Sequence, residues 1–161
     1  MFKIETGVNN PILRKIADKV TDKDFNEAVK LGKKMIKYIK DPENGGVGLA
    51  APQIGVSWKL VVVSMLKDRD DENFKTIMMI NPEILEFGGG KEIEVEGCLS
   101  VPGVKGKVER YNMVKLTYLD EKKKQITLIL KGLQARIIQH ELDHINGKLF
   151  VDYLKNKEPF M

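Results

Sequence analysis

At 161 residues, 42% of them hydrophobic and 31% charged, the chain has the balance of an ordinary globular protein and enough length for one sizeable core without disulfides. No run of residues approaches a membrane span, and the start Met1-Phe2-Lys3-Ile4-Glu5 lacks a signal-peptide h-region, so one cytoplasmic domain over residues 1–161 is expected. The net charge of +4 and sequence pI near 9.0 are spread over lysines such as Lys33, Lys34, Lys37 and Lys40, with no basic-aromatic stripe, which argues against direct nucleic-acid readout.

In chain order, Thr21-Asp22-Lys23-Asp24 has the form of a capping box. Phe25, Ala28, Val29, Gly32, Met35, Ile36 and Ile39 follow at helical spacing, so a surface helix is predicted that Asp41-Pro42 stops. The segment Gly45-Gly46-Val47-Gly48-Leu49-Ala50-Ala51-Pro52-Gln53-Ile54-Gly55 fits neither phosphate-binding pattern. It reads either as a plain turn between helix and strand, or as small residues beside a pocket with one polar amide, Gln53. Residues 60–65 and 76–80 form short strand-like runs around a polar loop, the second ending at Asn81-Pro82.

Past a flexible Gly88-Gly89-Gly90, Glu92-Ile93-Glu94-Val95 alternates with period two, as a half-buried strand would. Residues 114–119 and 125–130 flank a charged hairpin loop. Gly132 then opens a helix to about Ile145, which Asn146-Gly147 terminates. Central strands with a helix at each end predict an α+β fold: short antiparallel or mixed sheets packed around a C-terminal helix, with the first helix on the surface.

The chain's only histidines are His140 and His144, in His140-Glu141-Leu142-Asp143-His144. Histidines at i and i+4 project from one helix face and can reach one metal ion, with the intervening glutamate placed to exchange protons with a water there. Leu133 and Ile137 continue that face, which turns the metal inward toward an apolar pocket. Two histidines are one ligand short of a catalytic site. No histidine follows His144, and the acids beyond it are Asp152 and Glu158. Upstream, Glu96-Gly97-Cys98-Leu99-Ser100 offers a thiolate beside a glycine that permits close backbone approach. Cys98 is the lone cysteine, so it has no internal disulfide partner.

Taken in order, residues 46–53, 96–100 and 139–144 resemble the three motifs of the peptide deformylase family, and the resemblance runs from Pro11-Ile12-Leu13-Arg14-Lys15 to Leu149-Phe150-Val151-Asp152. It implies a metal-dependent hydrolase that removes the N-formyl group from the initiator methionine of nascent polypeptides, releasing formate. It further implies Cys98, His140 and His144 as metal ligands and Glu141 as general base and then acid. Gln53 and the Leu99 backbone N–H become oxyanion donors. Gly46 and Gly48 would form the wall that excludes acyl groups larger than formyl. Val47, Leu133 and Ile137 would take the methionine side chain, and the backbones of residues 46–48 and of Glu96 and Gly97 would pair with the peptide as an added strand.

Fe(II) is the metal the resemblance favours, with Ni(II), Co(II) or Zn(II) as substitutes. Glu96 is expected to pair with Arg110, and Asp143 to be no ligand. Lys105 stands where relatives often carry arginine near the substrate backbone, which loses the bidentate fork. Because some relatives dock on the ribosome through a longer basic C-terminal helix, the end at Met161 puts that mode in doubt, leaving a transient ribosome contact. Two other readings stay open from the residues: an endopeptidase built on the helix motif, and a silent fold that only binds nascent chains.

Overall fold

The structure, a computed structural model, describes residues 2–154. A short helix α1 (Pro11–Arg14) is followed by a 3-10 turn (Asp22–Asp24) that runs into helix α2 (Phe25–Lys40). Strand β1 (Gly48–Ala50), a 3-10 turn (Ala51–Ile54) and strand β2 (Leu60–Ser64) come next. Two long strands, β3 (Thr76–Cys98) and β4 (Val101–Leu119), lead to β5 (Gln125–Lys131), helix α3 (Gly132–Ile145) and a last 3-10 turn (Phe150–Tyr153). The five strands form one antiparallel sheet in chain order, β1-β2-β3-β4-β5. The α+β arrangement holds, with α3 as the central C-terminal helix and α2 near the other end of the chain. Among the described residues no helix is long and apolar enough to cross a membrane.

The apolar run in β2 is continuous because both of its faces are covered. Val61 and Val63 pack with Met79, Leu116 and the α3 residues Ile138, Leu142 and Ile145. Leu60 and Val62 face the other way, joining Met78, Ile80 and the α2 residues Phe25, Ala28, Met35 and Ile39. Each large apolar side chain buried in these clusters contributes about 1.5–3 kcal/mol by removal from water. A third cluster sets Leu149, Phe150 and Leu154 against Val101 and Val108, with Cys98 at its margin.

Local expectations differ from the structure in four places. Thr21 does not cap α2: its hydroxyl donates to the Asp24 carboxylate at 3.2 Å, and the 3-10 turn supplies the lead-in. Asn81-Pro82 does not end its strand. Asn81 takes a φ of 53° at a register shift between Ile80 and Glu83, its side chain binds the Val20 backbone from both ends, and pairing with β4 resumes. Gly89 and Gly90, at φ 73° and 72°, form another bulge inside β3, at the register shift between Gly88 and Lys91, where the sequence reads as a flexible glycine run. Finally, residues 92–95 are not half-buried. Ile93 is 60% and Val95 44% exposed, because this part of β3 pairs with β4 alone and neither residue joins an apolar cluster.

Candidate active site

Helix α3 delivers His140, Glu141 and His144 from within the core, since Ile138, Leu142 and Ile145 anchor its other faces in the sheet. The two imidazole rings stand 5.1 Å apart, edge to face. Cys98 closes β3 at the tight connection to β4. Its Sγ lies 3.3 Å from His144 Nε2 and accepts the Ser100 N–H at 3.4 Å. One donor atom each from Cys98, His140 and His144 falls within 4.8 Å of the others. A thiolate and two imidazoles suit a divalent transition metal, and three protein ligands leave a position open.

The orientation of His140 is set from behind. Its Nδ1 sits 2.9 Å from Glu96 Oε1, which directs Nε2 to the metal side. Glu96 is itself gripped by two guanidinium groups. Arg110 donates through Nε and Nη2 at 2.9 and 2.8 Å, and Arg136 through Nη1 at 2.7 Å. Burial opposes the Glu96 charge, but the hydrogen bonds from Arg110 and His140 overcome it and hold the carboxyl at about 2. The expected Glu96–Arg110 pair is therefore present. Asp143 is engaged elsewhere: it accepts Arg110 Nη1 at 2.6 Å and the Tyr153 hydroxyl at 3.1 Å.

A cavity of about 190 Å³ opens beside these groups. Gly46, Val47, Gly48, Gln53, Gly97, Cys98 and Leu99 line it together with the α3 residues Leu133, Ile137, His140 and Glu141. Of the predicted site residues only His144 is absent from the lining; it lies beneath, 1% exposed. Gln53 is locked in place, with Oε1 accepting the Ala50 N–H at 2.9 Å. Its Nε2 donates to Ser100 Oγ at 3.1 Å and comes within 3.6 Å of Cys98 Sγ. Gly48 is required sterically, since a Cβ there would lie 2.5 Å from Glu141 Oε2. Burial pushes the Glu141 carboxyl up to about 7, and its Oε1 is buried with no partner among the described residues. An acid near neutrality with an unpartnered oxygen can carry a proton to and from water.

The polypeptide deformylase family profile matches residues 2–160. The chain belongs to the polypeptide deformylase family. Among deformylases it is 42% identical to peptide deformylase 1 of Clostridium acetobutylicum over 151 residues, covering 91% of this chain and 95% of that one. The crystal structure of the Thermotoga maritima peptide deformylase superposes with a TM-score of 0.83 at 36% identity, covering 96% of this chain and 98% of that one. A Met-Ala-Ser-bound class I type b peptide deformylase from Acinetobacter baumannii gives a TM-score of 0.85 at 34% identity, with 96% and 98% covered. Membership in this family implies a single metal ion, and it favours neither an endopeptidase nor a silent binder.

Sequence reasoning missed three residues of the cavity: Arg69, Val95 and Arg136. Arg136 was legible, four positions before His140 on the same face of α3. Arg69 was not, because it reaches the site from the β2–β3 loop, far away in sequence.

Proposed function

We propose how this pocket performs the reaction of its family, removal of the N-formyl group from nascent polypeptides with release of formate, with residues 1–161 acting as one catalytic domain. Cys98, His140 and His144 would hold the metal, Fe(II) by preference and Ni(II), Co(II) or Zn(II) in substituted preparations. A divalent cation there supplies Lewis acidity and makes hydroxide available near neutral pH.

Glu141 takes the proton of the attacking water and passes one to the leaving amine, as base and then acid. The observation that carries this reading is its buried, unpartnered Oε1 in the cavity that the ligands Cys98 and His140 also line. The charge that develops on the formyl oxygen is met by Gln53 Nε2 and the Leu99 N–H. Hydrogen at the formyl carbon passes the wall at Gly46 and Gly48, whereas an acetyl methyl meets it.

The methionine side chain enters between Val47, Leu133 and Ile137. Among the described residues β1 pairs only with β2, and β3 at residues 96–97 only with β4, so each has a free edge near the cavity. A peptide backbone can add there as a strand, which accepts many sequences after the first residue. A short peptide as the occupant is supported by the A. baumannii peptide deformylase, whose crystal structure has Met-Ala-Ser bound. Lys105, the register partner of Gly97, adds positive charge beside that path. A cytoplasmic location, where nascent chains emerge, and a transient ribosome contact would suit this reaction. Any C-terminal docking element lies outside the described residues.

The test is formate release from formyl-Met-Ala-Ser by protein prepared without oxygen and loaded with Fe(II) or Ni(II). Release that disappears in Glu141→Ala, at unchanged metal content, supports the assignment. Undiminished release in that variant would remove Glu141 from the mechanism.

A further inference from the structure

The cavity proposed for the first side chain does not end on an apolar wall. Beside Leu133 and Ile137 its lining includes Arg136 and Arg69, which Glu94 links into a chain of alternating charge. Arg136 Nε lies 3.2 Å and Arg69 Nη2 3.8 Å from the same oxygen, Glu94 Oε2. The two arginines are held very differently. Arg136 is 7% exposed, and its guanidinium also donates to Glu96, to the Val108 carbonyl and to the Glu92 carbonyl at 2.7, 3.0 and 2.8 Å. The Arg69 side chain is 71% exposed and, among the described residues, is held by one long pair with Glu94. An exposed pair of that kind holds its arginine weakly.

A second cavity of about 200 Å³ lies on the far side, and Arg69, Leu133 and Arg136 line both. Its remaining lining is polar, with Lys67, Asp68, Glu92, Tyr111 and Asn112. Leu133 and Arg136 belong to α3 and stay in place. Of the three shared residues, Arg69 is the one free to swing.

We infer that Arg69 is a specificity-determining residue that closes the far end of the side-chain pocket, so that its displacement joins the two cavities and admits a first side chain longer than methionine. The inference rests on the reading that the first side chain enters this pocket. The charges around the second cavity balance, Lys67, Arg69 and Arg136 against Asp68, Glu92 and Glu94. The side chain that profits is therefore long and ends in an uncharged hydrogen-bonding group, such as an amide.

The experiment compares kcat/KM for three formyl tripeptides that differ only in the first residue: alanine, methionine and Nε-acetyllysine. Arg69→Ala is expected to raise the acetyllysine-to-methionine ratio about fivefold or more, through KM and not kcat. Arg69→Lys should restore most of the original ratio. A ratio unchanged in Arg69→Ala, while the unaltered enzyme still prefers methionine over alanine, overturns the role of Arg69 alone. If the unaltered enzyme treats alanine and methionine alike, the side chain does not use this pocket, and both readings fall.

Discussion

Glu96 Oε1 and His140 Nδ1 lie 2.9 Å apart, so the one ring nitrogen of His140 left for a metal is Nε2. The same carboxylate pairs with both Arg110 and Arg136, which are 5% and 7% exposed. Glu96 thus has two jobs, one toward the ligand and one toward the fold. Glu96→Gln should weaken metal binding about 10–100-fold, read by competition with a chelating dye. Glu96→Ala should also lower stability in urea, by up to about 3–5 kcal/mol, because two buried cations lose the carboxylate they share and are left with Asp143 and Glu94. Metal affinity equal to the parent's in both variants would show that His140 needs no such support.

Acid should expose the same group in metal-free protein. The folded value of about 2 lies below the usual 4.5. The stabilisation is therefore complete above about pH 4.5 and is lost as pH falls toward 2. Urea midpoints measured at several pH values should drop more steeply in the parent than in Glu96→Gln. Parallel slopes would place the acid sensitivity elsewhere.

Gly48 leaves room for Glu141 and for little else. A Cβ there would meet Glu141 Oε2, Cγ and Cδ at 2.5, 2.8 and 2.9 Å. Gly48→Ala should displace that carboxylate and slow formate release about 100-fold, with one metal still bound. A near-normal rate would mean that Glu141 acts equally well from a shifted position.

Gln53 braces the Ala50 N–H with one end of its amide, and in the proposed reaction the other end would serve the formyl oxygen. Gln53→Ala should cost about 2.7–4 kcal/mol of barrier stabilisation, seen in kcat more than in KM. It should also cost about 1–3 kcal/mol of stability, since the buried Ala50 N–H loses its acceptor. A stability loss at unchanged kcat would leave Gln53 as a brace only.

Stripping the metal should abolish turnover without unfolding the chain. Helix α3 is held by Ile138, Leu142 and Ile145, independently of its ligands. A chelator should therefore remove formate release while far-ultraviolet circular dichroism stays unchanged, and anaerobic Fe(II) should restore activity. Loss of the helical signal would make the metal part of the fold.

The parts of the site that could be read from the sequence are those decided within a few residues. His140 and His144 share a face because a helix places i and i+4 one above the other, and Gly132 and Asn146-Gly147 bound that helix where the structure does. Cys98 stood out as the thiolate available to complete the ligand set. Local signals misled where neighbours on other strands had the final say. Asn81-Pro82 and Gly88-Gly89-Gly90 read as breaks, yet β3 runs through both as bulges because β4 continues the pairing on its far side.

By itself, then, the sequence determined the metal-binding helix, the order of the three motifs and the family, since each depends on short-range spacing or on residue identity. The tertiary structure alone decided that Glu96 joins His140 to Arg110 and Arg136, that Gly48 faces Glu141, and that Arg69 lines the pocket. Those relationships bring together residues tens of positions apart. They are set by strand register and by the packing of α3 on the sheet, and no local periodicity encodes either.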